Sequence, residues 1–290
     1  MNNPQVIDLD YRVANGFANY NAGIITISKR YSHGLTLQAN YTYSHSLDTL
    51  STVQNGTTEY STSYNPSYDY GSSSYDRKNA LNVLTVYDLP FGKGRMFSTS
   101  NRVLDKIFGG WYFSGIFTTA SGLPLVVAES SQAYGGSEEG NTGSVGAIPI
   151  TTMNYQEGVN QSAGSTSVAT TGNPAKGGSG LNLFSNPQAV FSNFRPVELS
   201  SDTRNDRDVI RGFPYWNLDS SLGKKIPITE RVVLGFSFEV FNVFNNVNFS
   251  NPSLSLQTPA SFGVVTSQFT TNGTDGLGQR RVQAGLRIDF

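Results

Sequence analysis

The final nine residues of this 290-residue chain, 282–290, alternate between apolar and polar side chains. Side chains along a β-strand point to opposite faces in turn, so the segment predicts a strand with one dry and one wet face. The dry face holds Val282, Ala284, Leu286, Ile288 and Phe290, and the wet face holds Arg281, Gln283, Gly285, Arg287 and Asp289. A strand that ends on an apolar aromatic residue, with no polar tail, is unusual in a soluble protein.

This ending resembles the C-terminal signal that the bacterial outer-membrane assembly machinery reads. The residues that carry the resemblance are Gln283, Gly285, Ile288 and Phe290. The resemblance implies a closing strand of a barrel, a bacterial outer-membrane location, and two partners: outer-membrane lipid and the barrel-assembly machinery.

Composition fits short strands joined by polar loops. Charged residues make up 14% and hydrophobic residues 37% of the chain, yet it holds 15 Tyr and 18 Phe. The absence of cysteine excludes a disulfide scaffold, thiolate metal ligands and a cysteine nucleophile. The net charge of −1 gives no electrostatic argument for nucleic acid. No apolar run approaches the ~20 residues of a membrane helix, and the first residues do not read as a signal peptide.

Seven segments read as strands of about ten residues, a length typical of transmembrane β-strands. They are 20–29, 35–44, 80–89, 111–120, 216–222, 232–241 and 282–290, the fourth with a candidate continuation through Val127. The third is apolar on both sides near Val83–Val86, so the pattern does not decide which of its side chains lie on the dry face. The alternation predicts an all-β fold: an antiparallel up-and-down transmembrane β-barrel segment of about seven or eight strands.

The connections between these strands alternate in length. Short turns lie at 30–34 and 224–231, and long loops lie at about 48–78, 130–214 and 242–279. Outer-membrane barrels have short periplasmic turns and long extracellular loops, so we expect the long loops and the C-terminus on opposite sides. The remaining connection, 90–110, predicts a short helix because Val103, Leu104, Ile107, Phe108 and Trp111 have helical spacing.

Aromatic residues fall at both ends of the predicted strands, as two interfacial girdles require. The inner ends hold Tyr31, Tyr87, Trp111 and Phe290, and the outer ends hold Tyr41, Tyr43, Trp216 and Phe244. The alternative is that strands are rich in aromatic residues whatever surrounds them.

A series of motifs, in matching order and spacing, is similar to Oar-like TonB-dependent receptors. They lie at Asn21–Asp48, Val86–Arg95, Gly109–Ile116, Ser121–Pro124, Arg211–Gly212, Trp216–Lys224 and Phe238–Phe249. The resemblance implies a barrel of about 22 strands with an N-terminal plug, energised through TonB. Such receptors take up scarce nutrients of the siderophore, vitamin, glycan or peptide type. Residues 1–290 would then be the C-terminal portion of the barrel, without the plug, the TonB box or the first strands.

Five charged residues are predicted to face the lumen of the barrel. On the lipid face an Arg or Lys near the midplane would cost ~2–4 kcal/mol. We expect a structural role for these side chains, through pairing across strands or contact with the plug, rather than contact with substrate. The five are Asp219, Glu239, Arg281, Arg287 and Asp289.

No catalytic, cofactor or metal site is predicted, and we expect no enzyme. His33 and His45 lie at opposite ends of one predicted strand, roughly 40 Å apart at ~3.3 Å per residue. The acidic residues Asp202, Asp206 and Asp208 lack the glycine and distal glutamate of an EF loop, so a solvated loop is the simpler interpretation. The segment Gly92–Arg95 is a turn rather than a phosphate loop.

Three alternatives stay open. A free-standing small outer-membrane barrel, acting as pore or adhesin, requires the first strand to pair with residues 282–290. An outer-membrane hydrolase requires a catalytic dyad near one rim, and the sequence offers no candidate. A secreted β-sandwich would keep its outer faces polar and stay soluble without detergent.

Overall fold

The computed structural model describes residues 15–51, 65–98, 100–129, 145–155, 158–198, 201–203, 207, 209–229, 231–269 and 278–290. Its main element is an antiparallel sheet of seven long strands that neighbour one another in chain order. These are β1 (Ala18–Ser32), β2 (Leu35–Asp48), β3 (Asn79–Asp88), β4 (Trp111–Ala120), β5 (Tyr215–Pro227), β6 (Val233–Phe241) and β7 (Arg281–Asp289). The all-β antiparallel fold and all seven predicted strands are confirmed; a short eighth strand, Gly71–Ser72, also pairs with β2.

Several strand ends differ from the prediction: β1 and β2 extend beyond the predicted 20–29 and 35–44, and β5 and β4 also differ. Strand β5 was expected to end at Leu222, but it continues to Pro227 because its ladder with β6 runs on to the pair Pro227 and Val233. The predicted continuation of β4 through Val127 does not form. Residues Pro124–Leu125 pair instead with Ile210–Arg211, so they belong to the long loop.

The register sorts the side chains onto two faces, since directly opposed residues of antiparallel strands point the same way. One row across five strands is apolar and consists of Ile27, Ala39, Val83, Phe117 and Leu218. The row one residue away is polar and consists of Thr26, Asn40, Asn82, Thr118 and Asn217. Leu81 and Val83 therefore lie on the apolar face, which resolves the facing of β3.

The apolar face is turned outward and lacks a protein layer over much of its area. Leu286 is 70% and Ile288 58% exposed on β7, while Phe236 and Phe238 of β6 are also exposed. An apolar surface of this extent marks a partner that is itself apolar. Within the described residues, no helix is both long enough and apolar enough to cross a membrane.

One end of the sheet, the turn end, carries the short connections. His33 and Gly34 join β1 to β2 with φ values of 52° and 81°, the positive pair that suits a tight hairpin turn. Ile228 donates its amide to Val232 in the β5–β6 turn. The β3–β4 connection contains helix α1 (Arg102–Phe108), whose first turn is capped by the Asn101 side chain. The predicted short helix is confirmed.

At the opposite end, the loop end, the described residues of 65–78, 121–214 and 242–280 pack into one body, which we call the loop cap. It contains helix α2 (Pro187–Ser192), 3₁₀ turns at Pro66–Asp69, Thr170–Gly172, Pro174–Lys176 and Pro259–Ser261, and two-residue strand pairs. Besides Pro124–Leu125 with Ile210–Arg211, these pairs are Ala128–Glu129 with Val145–Gly146, Ile148–Pro149 with Phe194–Arg195, and Asn160–Gln161 with Leu181–Asn182.

The main buried hydrophobic cluster of the described chain lies in the loop cap, not in the sheet. Its members are Val127, Ala147, Val168, Ala169, Leu183, Phe184, Val190, Phe194, Ile210, Phe213, Leu254, Phe262, Val264 and Val265. The composition of these segments predicts polar loops and no core.

The sheet is open. Within the described residues, β1 pairs only with β2, and β7 pairs only with β6 and not with β1. The closed pairing of the first strand with residues 282–290, which a small barrel requires, is not formed.

Candidate functional site

The loop cap contains a buried ion pair at the rim of the sheet, between Arg211 and Asp76. The Arg211 guanidinium donates to Asp76, with Nη2 2.8 Å from Oδ2 and Nη1 3.1 Å from the backbone oxygen. Asp76 Oδ1 accepts from the Ser46 backbone amide at 2.8 Å. Asp76 Oδ2, the oxygen that Arg211 contacts, also lies 3.2 Å from His45 Nδ1. Strand β2, the segment before β3 and the long loop therefore meet at this one carboxylate.

Asp76 stays ionised in this setting. Burial alone would raise its pKa, but hydrogen bonds from Ser46, Arg211 and His45 outweigh burial and hold the pKa below its ordinary value of 3.8. The carboxylate and the guanidinium thus remain an ion pair at neutral pH. Removing one partner of such a pair leaves the other charge buried and uncompensated.

A second arginine ties the cap to the end of β2. Arg207 Nη1 contacts Asp48 Oδ1 at 3.1 Å and the backbone oxygen of Asp69 at 2.8 Å, while Nη2 lies 2.5 Å from Ser51 Oγ. Both Arg207 and Asp48 are largely buried. The first long loop and the second are therefore held together at the rim.

Two distant loops build the cap core jointly. The Leu183 amide donates to the Gly263 oxygen at 2.9 Å, and the Val265 amide donates to the Leu181 oxygen at 3.1 Å. The rings of Phe184 and Phe262 stack with centroids 5.7 Å apart. These contacts join the segment before α2 to the β6–β7 connection, so the cap is a single packed body rather than a set of separate loops.

A cavity of about 310 Å³ opens beside α2 in this body. Its lining consists of Met153, Asn154, Phe184, Ser185, Asn186, Ala189 and Val190. Among the described residues, the lining holds amide, hydroxyl and apolar groups and no charged side chain.

The structure separates the two histidines. His45 lies at the rim beside Asp76, whereas His33 lies in the turn at the other end of β2, with Nδ1 2.9 Å from Ser32 Oγ.

Among the described residues, no group of three or more His, Asp or Glu side chains could hold a metal ion. The segment Gly92–Arg95 forms a turn, closed by the Arg95 amide donating to the Gly92 oxygen.

Of the three acidic residues considered for calcium, the structure describes Asp202 alone; Asp206 and Asp208 lie outside the described residues. Both Asp202 carboxylate oxygens accept from Arg195, at 2.7 and 2.8 Å. This hydrogen bonding lowers the pKa of Asp202 despite partial burial. The residue acts as an ion-pair partner within the cap.

The five charged residues predicted to face a lumen share the polar face of the sheet: Asp219, Glu239, Arg281, Arg287 and Asp289. Asp219 and Arg287 make contacts along a strand or to backbone, whereas Arg281 contacts the neighbouring strand. The Asp219 carboxylate accepts from the Asn242 amide at 2.8 Å, where β6 has ended. Arg287 Nε lies 2.6 Å from Asp289 on the same strand. The Arg281 guanidinium stacks over Phe241 at 5.5 Å.

The residues of the predicted assembly signal divide between the faces. Gln283 and Gly285 lie on the polar face and Ile288 on the apolar face, and Phe290, beyond β7, is fully exposed. Their role as a signal stays a prediction.

The residues predicted to form aromatic girdles lie at both ends of the sheet. Tyr87 and Trp111 stand on the apolar face at the turn end. At the loop end the same face carries Tyr41, Tyr43 and Trp216, with Phe244 at 5.7 Å from the Trp216 ring.

Tyr31 departs from this arrangement. It lies at the turn end, but a register shift between Lys29 and Ser32 directs its side chain to the polar face. There its hydroxyl donates to Asp88 at 2.7 Å.

The rim residues Asp76, Arg207 and Arg211 were not singled out by sequence reasoning. Arg211 did occur within a motif of the family resemblance, and that position beside a glycine was the one available signal. Its partner Asp76 lies far away in sequence, so no local spacing could connect them.

Comparison with known proteins gives one match. Residues 2–283 match the model of a family described as "Outer membrane beta barrel domain". No curated protein and no solved structure matches the chain.

Proposed function

Because this chain belongs to the outer membrane β-barrel domain family, we propose that it forms part of the barrel of a TonB-dependent receptor of the Oar-like type. The family places the protein in the bacterial outer membrane, in contact with membrane lipid. The receptor would take up a scarce nutrient with energy delivered through TonB. The observation that carries this proposal is the open sheet, taken together with the motifs that resemble such receptors.

An open sheet cannot be the final state in a membrane. Unpaired backbone groups at a strand edge cost several kcal/mol each in lipid, so membrane sheets close into barrels. Within the described residues, both β1 and β7 have one edge without a strand partner. Seven strands whose first and last members do not pair favour a barrel completed by further strands, as in a large receptor.

The polar face supports an occupant inside that barrel. Leu84 and Ile116 are directly opposed there, and Val86 lies on the same face one position along. All three are exposed, Ile116 to 49%. An apolar island among polar residues fits contact with a folded plug better than contact with channel water.

The loop cap supports capture of ligand before transport. We place the turn end in the periplasm and the loop cap outside the cell, as is usual for such barrels. The cavity beside α2 would then face the medium and would favour an uncharged ligand. We propose no enzymatic activity, since His33 and His45 lie at opposite ends of β2.

Growth of a deletion strain tests the proposed uptake. The strain would be supplied with ferric siderophores, cobalamin, oligosaccharides or peptides, each at a limiting concentration. We expect the deletion to abolish growth on one class, and inactivation of TonB to abolish growth on the same class. Growth that needs this gene but is unaffected by loss of TonB would contradict the proposal.

Electrical conductance distinguishes the receptor from the small pore. A receptor whose lumen is filled by a plug leaves a planar lipid bilayer non-conducting, whereas a pore gives stable unitary currents. We expect the intact protein to give no stable currents. Steady channels from the 290-residue chain alone would favour the small barrel.

A further inference from the structure

Helix α1 is amphipathic in sequence. At 100° per residue, its apolar positions Val103, Leu104, Ile107 and Phe108 fall within an arc of about 140°. Asp105 and Lys106 fall on the opposite side. In a protein surrounded by water, the apolar side of such a helix packs inward and the charged side faces out.

The structure leaves the apolar side of this helix uncovered. All four apolar side chains are exposed, Val103 to 65% and Phe108 to 56%. On the other side, Asp105 Oδ1 accepts from the Lys93 amide at 2.5 Å, whereas Lys106 is exposed. An uncovered apolar helix side is unfavourable in water and favours an apolar partner.

A lysine fixes the helix in this orientation. Lys224 Nζ donates to the backbone oxygens of Ile107 at 2.7 Å and of Gly109 at 2.9 Å. The same ammonium lies 4.6 Å from the centre of the Trp111 ring, and Trp111 Nε1 donates to the Ile107 oxygen at 3.0 Å. Lys224 and Trp111 are directly opposed on the apolar face of the sheet. The last turn of α1 is thus held at the level where that face ends.

The exposed apolar surface continues along the same connection. Met96 is 85% exposed, and the exposed rings of Phe91 and Phe97 stack with centroids 5.5 Å apart. Together with the apolar side of α1 they give the β3–β4 connection a run of exposed apolar side chains beyond the ends of both strands. The basic residues Lys93 and Lys106 are exposed beside this surface, where phospholipid headgroups would lie.

We propose that residues 91–98 and 100–108 form a lipid-binding foot that lies in the membrane plane, with its apolar side chains at the boundary between headgroups and acyl chains. The occupant of the surface is the phospholipid leaflet at the turn end of the barrel. The last turn of α1 contacts Lys224 and Trp111 on the apolar face of the sheet, so the foot continues the face that lipid covers. The proposal rests on the outer-membrane location and not on transport.

Site-specific fluorescence tests the foot. The chain has no cysteine, so Ile107→Cys or Leu104→Cys gives one attachment site for an environment-sensitive nitrobenzoxadiazole label. Lys106→Cys, on the opposite side of the helix, is the matched control. The intact protein is reconstituted in phosphatidylethanolamine–phosphatidylglycerol vesicles, and heat-modifiable gel migration checks that each variant is folded.

We expect a blue-shifted emission at positions 107 and 104, quenched several-fold more by lipids with a nitroxide on the upper acyl chain than the label at 106. Aqueous iodide should show the opposite order. Equal iodide quenching at 107 and 106, without lipid quenching at 107 or 104, would overturn the proposal. Since uptake plays no part in this readout, its result is independent of whether the protein is a receptor.

Discussion

The sheet and the loop cap use apolar residues in opposite directions. In the sheet, Leu286 and Ile288 point away from the protein, and lipid completes their surroundings. In the cap, Leu183 and Phe184 point inward and are fully buried by protein. One chain therefore folds against two solvents, and the position of a leucine or phenylalanine indicates which solvent that part of the chain meets.

The largest effect should come from emptying the cap core. Phe184→Ala removes a buried ring stacked on Phe262 and should cost about 3–5 kcal/mol in the cap. Pulse proteolysis of the loops would measure this loss, while heat-modifiable migration reports on the sheet. Phe236→Ala, on the lipid face, is the matched control and should leave the loops as resistant as before. Equal loop cleavage in both variants would mean that the two regions do not differ as described.

A charge placed on the lipid face tests the sheet in the way that loss of a buried ring tests the cap. Leu286→Arg places a guanidinium in the middle of β7 on the apolar face and should cost ~2–4 kcal/mol. Gln283→Arg, on the polar face of the same strand, should be close to neutral. Denaturant unfolding in lipid vesicles measures both. If Gln283→Arg proved as costly as Leu286→Arg, the assignment of the faces would be wrong.

The buried carboxylate at the rim should make the cap sensitive to acid. The pKa of Asp76 is lowered in the folded protein, so its contribution is present above its unfolded value and is lost as pH falls through the folded value. Asp76→Asn should cost about 1.5–3 kcal/mol at neutral pH, and wild type and variant should converge well below pH 3.8. Protease resistance of the loops against pH measures the difference.

The matched control is Asp202→Asn, because Arg195, its partner, is partly exposed. An ion pair with one partner in solvent contributes less than a buried pair does. A gap between Asp76→Asn and wild type that persisted unchanged at low pH would show that the charge is not what stabilises the rim.

The smallest effect concerns the cap of helix α1. Asn101 accepts from the Val103 and Leu104 amides, and Asn101→Ala should cost ~1 kcal/mol. Hydrogen exchange of the helix should accelerate, while exchange in the loop cap stays unchanged. Asn101→Asp retains the accepting oxygen and should restore protection.

The sheet was predictable and the cap was not, for a physical reason. Each strand leaves its own period-two pattern, so β2 and β7 could be recognised without knowing their neighbours. The cap core draws single residues such as Val127, Val168 and Phe262 from separate segments, and two-residue strands are too short to leave a period. The rim pair of Asp76 and Arg211 depends on the fold that brings its partners together.

Local departures from the pattern explain the remaining misses. A shift in register turns Tyr31 to the polar face, although its position in the sequence suited a girdle. Lys224 interrupts the apolar alternation of β5, so the strand was expected to end before it. In the fold its ammonium reaches the carbonyls at the end of α1.

The joint core of the cap imposes an order on folding. Its two halves lie on either side of the β5–β6 hairpin in sequence, and the Ala128 amide donates to Leu254 across that gap. Contacts between distant segments form late, because the chain between them must first be ordered. The hairpin therefore precedes the cap. A time course of cleavage during folding tests this order: we expect the strands to pair before the loops become resistant to protease.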